Sequence, residues 1–95
     1  MRQPAILEEK VKRYEGLLQE ALNAYEVAPS EKSHLRNVAE DFANMANSYY
    51  NDGKHFMQEN DHVNALVCFS YGHAWLDAGV KLGIFKVSDE NLFTI

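Results

Sequence analysis

The architecture of this chain follows mainly from one stretch, DHVNALVCFSYGHAWLDAGVKLG, which runs from Asp61 to Gly83. It contains no proline, opens on a residue type that caps helices and closes on glycine, so it predicts one helix from Asp61 to about Leu82. On a helical wheel most of the circumference is apolar or small, and only a narrow arc is polar. This helix carries more apolar surface than two neighbouring helices need to cover.

Small residues lie on the side of this helix opposite the polar arc. Ala65, Gly72 and Gly79 fall there, with Tyr71, Trp75 and Leu82 along one flank. Glycine and alanine allow a neighbouring backbone to approach closely, so we expect this side to face the core.

The preceding segment predicts a second helix from about Leu35 to Gln58. Ser30 and Ser33 can each cap its start, because a serine oxygen accepts a hydrogen bond from a free backbone amide. Asn60 offers a left-handed stop and Asp61 a new N-cap, which predicts a tight reversal into the third helix. Its apolar positions keep helical spacing: Leu35, Val38, Phe42, Met45, Tyr49 and Phe56.

The first segment predicts a helix from about Pro4 to Val27. Proline suits a first helical turn, and Pro29 moves the residue before it out of the helical region. Charged residues separate a seam of apolar positions at steps of four and three: Leu7, Val11, Tyr14, Leu18, Ala21 and Tyr25.

Three helices of similar length with short loops predict an all-α fold, an antiparallel three-helix bundle in a single domain over residues 1–95. Residues 84–95 form a short C-terminal tail. The tail is too apolar to stay free, so we expect it to fold back on the bundle, although a partner could bind it instead.

Composition excludes several classes of function. The formal net charge of -5 disfavours nucleic-acid binding, which usually needs a basic face. The longest run without Asp, Glu, Lys or Arg, from His62 to Leu76, is too short to span a bilayer. The first residues lack the apolar core of a signal peptide, and the single Cys68 fits a reducing compartment. We therefore expect a cytoplasmic protein that binds neither nucleic acid nor membrane.

Residues with catalytic potential do not form a recognisable active site. Cys68 has no cationic neighbour in sequence, so its thiol should be inert. His73 and Asp77 are spaced i, i+4 on the polar arc of helix three and could supply two metal ligands, but two ligands do not make a site, and we interpret them first as a helical surface pair. We expect no catalytic residue, no metal site and no cofactor, and treat His73 and Asp77 as weak candidates for a polar site.

A surplus of apolar surface gives the main functional hint. Val63, Val67, Ala74 and Ala78 fall between the inward side of helix three and its polar arc, where a monomer would leave them in water. Tyr71 and Trp75 are interpreted first as core residues, since aromatic residues at helical spacing usually face inward. The complete candidate interaction surface also takes in the tail: Val63, Val67, Tyr71, Ala74, Trp75, Ala78, Leu92, Phe93 and Ile95.

Two resemblances bear on the architecture. Six residues of helices two and three are spaced as in one tetratricopeptide unit, which implies a tightly packed helical hairpin: Tyr49, Gly53, Phe56, Ala65, Phe69 and Gly72. Three stretches together resemble the short archaeal domain of unknown function 357: YYNDGK at 49–54, DHVNAL at 61–66 and YGHAWLDAGVKLG at 71–83. The WLDAG core at 75–79 is the most specific part. This resemblance implies a three-helix fold in a cytoplasmic archaeal protein and lends no activity, cofactor or catalytic residue.

Two functional hypotheses remain. The first is a non-enzymatic module that uses helix three and the tail to form a homodimer or to bind an unknown protein partner. The alternative is a small-ligand-binding or metal-binding helical protein in which His73, Asp77 and residues of another helix converge on a polar pocket.

Overall fold

The computed structural model describes residues 4–88 and 90–93. Within them lie three helices, α1 (Leu7–Leu22), α2 (His34–Gln58) and α3 (His62–Leu82). Two short strands, β1 (Tyr25–Val27) and β2 (Phe85–Val87), and a 3-10 turn at Glu90–Leu92 complete the described part of the chain. The prediction of an all-α helical bundle is confirmed, with one small two-stranded ribbon added.

Helix α3 holds the bundle together. It packs extensively against α2 and α1, whereas α1 and α2 contact each other much less. The Cα extents are 48 × 31 × 16 Å, so the helices form a slab rather than a cylinder. In a slab of this thickness, a helix that packs against neighbours on one side keeps its other side open.

Helix boundaries agree with the predicted caps at four positions. The Ser33 hydroxyl accepts a hydrogen bond from the Arg36 amide at 3.1 Å, and the Asp61 carboxylate accepts one from the Asn64 amide at 3.2 Å. Asn60 has a φ of 60° and Gly83 a φ of 87°, the left-handed conformation expected of both stops. Consequently α2 begins one residue before its predicted start, and α3 begins one residue after.

The predicted extent of helix one is wrong at both ends. The helix begins at Leu7 rather than Pro4 and stops at Leu22, five residues before Val27. Tyr25–Val27 instead pairs antiparallel with Phe85–Val87, and Glu26 lies opposite Lys86. The Ala28 amide extends this pairing by donating to the Ile84 carbonyl at 2.9 Å. Aromatic and β-branched residues such as Tyr25 and Val27 suit a strand, and the partner strand supplies the backbone hydrogen bonds that a longer helix would have made.

The tail completes the core. Ile84 and Phe85 are buried directly after α3, and Phe93 is only 6% exposed beyond the 3-10 turn. Its ring centroid lies 6.1 Å from that of His73. The described part of the tail therefore folds back on the bundle, which was the first of the two possibilities expected from the sequence.

A close contact between α2 and α3 supports the tightly packed hairpin. Gly53 of α2 is buried, and the ring of Phe69 from α3 occupies the space that a Cβ at residue 53 would need. Phe69 is fully buried and also contacts the Tyr50 ring. Only glycine at residue 53 lets the two helices approach this closely.

Candidate interaction surface and polar pocket

The solvent side of α3 carries a continuous apolar surface, which we name the α3 stripe. Three of its members are more than half exposed: Val63 at 61%, Val67 at 59% and Leu82 at 59%. The Tyr71 side chain is 50% exposed, and both alanines of the stripe are exposed as well. The full set is Val63, Val67, Tyr71, Ala74, Ala78 and Leu82.

The stripe is open to solvent because α1 and α2 both pack against the opposite side of α3. Ala65, Phe69 and Leu76 are completely buried on that opposite side, where α1 and α2 pack. Six apolar positions of one helix are thus left facing water.

Two residues of the stripe are more exposed than a place beside the inward side of α3 predicts. Tyr71, interpreted first as a core residue but also included in the candidate surface, is half exposed, and Leu82, placed on the flank of the inward side, is largely exposed. The spacing in the sequence could have placed Leu82 on the predicted surface. Leu82 follows Ala78 by four residues, as Ala78 follows Ala74, so the three residues lie along the same side of the helix. Because α3 is apolar on most sides, the helical wheel alone could not show which side the neighbours take.

A shallow apolar groove of about 190 Å³ runs along the stripe beside α2. Phe42 of α2 packs edge-on against Trp75, with ring centroids 5.0 Å apart, and Tyr49 packs likewise against Tyr71 at 4.7 Å. Trp75 is half-buried, and its buried indole N–H has no hydrogen-bond partner among the described residues. Trp75 therefore forms a wall of the groove and contributes apolar surface to it. The groove is lined by Phe42, Tyr71, Ala74, Trp75 and Ala78.

Charge is almost absent from the stripe. No Asp, Glu, Lys or Arg occurs between His62 and Leu76, and on the helical wheel Asn64, Ser70 and the charged Lys81 lie beside the stripe. With so few charged groups, the surface offers a partner little opportunity to form ion pairs. Recognition here would depend on shape and apolar contact.

The tail residues of the predicted surface do not belong to the stripe. Phe93 is buried and Leu92 half-buried, and both lie near α1 and the polar arc of α3. Ile95 lies outside the described residues. Phe93 is therefore not available on an open surface, because it is buried beside α1 and α3, and Leu92 is partly covered there.

His73 and Asp77 face a second site on the other edge of α3. Their side chains are 16% and 21% exposed, and His73 Nδ1 lies 3.2 Å from an Asp77 carboxylate oxygen. The two side chains thus form the i, i+4 pair expected of them, and residues of α1 and the tail lie beside it. The cavity around them has a volume of about 410 Å³, and it is lined by Tyr14, Leu17, Ser70, His73, Ala74, Asp77, Asn91, Leu92 and Phe93.

Metal binding would need more ligands than this pair supplies. Zinc sites use three or four protein ligands, and within residues 4–88 and 90–93 no group of three His, Cys, Asp or Glu side chains could hold a metal ion.

We expect the thermal unfolding midpoint to be the same in micromolar zinc, nickel or manganese as in chelator, because only specific binding to the folded state raises it. A rise that His73→Ala abolishes would contradict this prediction.

Cys68 lies inside the bundle. Burial raises the pKa of the Cys68 thiol, and the negative charges of Asp52 and Asp61 raise it further. Since the thiolate is the reactive form, this environment keeps the thiol weakly nucleophilic at neutral pH. Burial likewise raises the pKa of Tyr25 in the ribbon. Cys68 thus has the surroundings of a structural cysteine.

None of the three helices, taken over the described residues, is both long enough and apolar enough to cross a membrane.

Comparison with known proteins gives a family and a fold. The DUF357 family model, described as "Protein of unknown function", matches residues 13–85. The fold of this chain is similar to the crystal structure of protein AF1782 from Archaeoglobus fulgidus, which is assigned to the same family model. The TM-score is 0.65 at 22% sequence identity. The similarity covers 88% of this chain and 100% of that one. No curated protein matches this chain.

Proposed function

This chain belongs to the DUF357 family, and on that premise we propose that it is a non-enzymatic interaction module that associates with protein through the α3 stripe. The family description assigns no activity.

The exposed apolar stripe is the observation that carries the proposal. Scattered exposed apolar residues are ordinary, but a contiguous row on one helix marks a site that another molecule covers. Fully burying a Val or Leu side chain contributes about 1.5–3 kcal/mol, and Val63, Val67 and Leu82 are each more than half exposed. Covering these three side chains would contribute roughly 3 kcal/mol of burial free energy toward a complex, against the cost of association.

The placement of reactive groups favours binding over catalysis. The single Cys68 is buried and its thiol pKa is raised, so this thiol is weakly nucleophilic at neutral pH. We place the protein in the cytoplasm, a location that a single unpaired cysteine supports.

Site-specific photo-cross-linking tests the proposal. A photoreactive phenylalanine derivative replaces Val67 in the stripe, and in a matched control it replaces Glu20, an exposed residue of α1. Both proteins are produced in cells of the source organism and irradiated. We expect a discrete protein adduct from residue 67 and none from residue 20, because only the stripe is covered by a partner.

A second substitution shows whether the adduct depends on the stripe. Ala74→Glu places a charge in the middle of the stripe at an exposed position, so the fold should persist while association is lost. The adduct from residue 67 should then disappear. Equal labelling at residues 67 and 20, or an adduct that persists with Ala74→Glu, would overturn the proposal.

The pocket around His73 and Asp77 favours a second candidate, a small-ligand-binding protein. Its volume of about 410 Å³ falls in the range of small-molecule sites, and α1, α3 and the tail all line it. A small hydrogen-bonding molecule that raises the unfolding midpoint of the native protein but not of Asp77→Ala would support this candidate.

A further inference from the structure

The polar pocket, the cavity of about 410 Å³ around His73 and Asp77, is lined by charge of one sign. Asp77 supplies a carboxylate, and the lining residues, all from α1, α3 and the tail, include no lysine or arginine. With a neutral imidazole at residue 73, the pocket therefore holds one net negative charge. A cavity lined by one sign of charge attracts ligands of the opposite sign.

The surroundings of the Asp77 carboxylate strengthen this attraction. The side chain is 21% exposed, and His73 Nδ1 lies 3.2 Å from one of its oxygens. Charges that are partly removed from water interact more strongly than charges on an open surface, because less solvent screens them. A carboxylate accepts hydrogen bonds at both oxygens, so a ligand can donate to Asp77 while His73 keeps its contact.

Apolar and aromatic side chains form the rest of the walls. Phe93 is buried and Tyr14 half-buried, and Leu17 and Leu92 also line the cavity. The face of an aromatic ring attracts a cation, and Tyr14 already has such a contact, since Lys10 Nζ lies 5.5 Å from its ring centroid. The pocket thus combines one carboxylate with a lining that suits hydrocarbon.

From this combination we propose that the polar pocket binds a small organic amine. Its ammonium group pairs with Asp77, and its hydrocarbon part packs against Phe93 and Leu17. The inference rests on the second candidate function, the small-ligand-binding protein, and names the class of its ligand. An anionic ligand would bring a second negative charge beside Asp77, with no lysine or arginine in the lining to offset the repulsion.

Three probes of similar shape separate the contribution of charge from that of size. Phenethylamine is a cation at neutral pH, phenethyl alcohol is neutral and hydrocinnamate is an anion. Each is titrated into the full chain, and binding is followed by the backbone amide signals of residues 70, 73 and 77 in NMR spectra. We expect phenethylamine to bind at least about tenfold more tightly than the alcohol, because its hydrogen bond to Asp77 is charge-assisted. Hydrocinnamate should leave these signals unshifted.

Three variants locate the binding site. Asp77→Asn keeps the size of the side chain and removes its charge, so the affinity for phenethylamine should fall to that for the alcohol. Asp41→Asn removes the same charge from an exposed position on α2 outside the pocket and should leave the affinity unchanged. Ser70→Leu narrows the pocket from an exposed position without changing its charge, so it should weaken binding of both probes. Thermal melts show whether each variant keeps its fold.

The remaining outcomes contradict the amine assignment. Equal affinities for phenethylamine and the alcohol would show that charge does not select the ligand, and equal losses in Asp77→Asn and Asp41→Asn would show attraction to the net charge of the whole chain. If hydrocinnamate or the alcohol binds more tightly, the ligand class is wrong while the small-ligand candidate stands. If no probe shifts residues 70, 73 and 77, both the amine assignment and the small-ligand candidate fail.

Discussion

Gly72→Leu should destabilise the folded chain by about 1 to 3 kcal/mol or more, measured by urea unfolding. Residue 72 lies where all three helices meet. A Cβ added there would lie 3.0 Å from Tyr49 Cβ, 3.1 Å from Leu18 Cδ2 and 3.2 Å from the Ala46 carbonyl oxygen. The last of these is backbone and cannot rotate away, so a leucine side chain must push the helices apart.

Gly16→Leu is the matched control. Gly16 lies in the interior of α1, and no non-neighbouring atom lies within 4 Å of the Cβ that a substitution would add. Leucine has a higher helix propensity than glycine, so this variant should gain between about 0.5 and 1 kcal/mol. Opposite signs of the change in the free energy of unfolding at residues 16 and 72 would separate the effect of packing from that of helix propensity. A stabilised Gly72→Leu protein would show that the helices do not pack as closely as the structure has them.

Phe85→Ala should cost about 3 to 5 kcal/mol, a large share of the roughly 5 to 15 kcal/mol by which folded domains are stable. Phe85 is the first residue of β2 and is 3% exposed. Its ring contacts Tyr25 of β1, with centroids 4.6 Å apart, and fills the space beside Gly79 of α3. Circular dichroism and urea unfolding measure the loss. Lys86→Ala, an exposed change in the same strand, should alter stability little and serves as control.

A double-mutant cycle assigns the effect to the contact between Phe85 and Gly79. The Phe85 ring occupies the position of a Cβ at residue 79, so Gly79→Ala should destabilise the native chain. In a Phe85→Leu background the same change should cost less, because the ring atoms that collide are gone. Equal costs of Gly79→Ala in both backgrounds would contradict the packing of β2 over α3.

Local signals in the sequence account for most helix boundaries. Ser33 and Asp61 cap their helices, and Asn60 and Gly83 take the left-handed conformation that ends a helix. These features depend on one or two residues and on hydrogen bonds across a single turn. For that reason they can be read without knowing the rest of the fold.

The ribbon between β1 and β2 could not be read in the same way. Tyr25 continues the apolar spacing of α1, so the residues up to Val27 are compatible with a longer helix. Their strand conformation depends on Phe85–Val87, which lies about sixty residues further along the chain. A three-residue strand has too little local preference to form alone, and only its distant partner supplies the hydrogen bonds that stabilise it.

The two candidate sites divide along the same line. The composition of α3 already predicts that it carries more apolar surface than two helices can cover. Hydrophobicity is a property of each side chain and does not depend on where the residue lies in the fold. The arrangement of the helices decides which side of α3 stays open, and Tyr71 and Leu82 lie on that side. It also decides which side the tail closes, where His73, Asp77 and Phe93 lie together. A helix that is apolar on most sides accepts neighbours in several directions, so long-range packing alone selects the side that faces water.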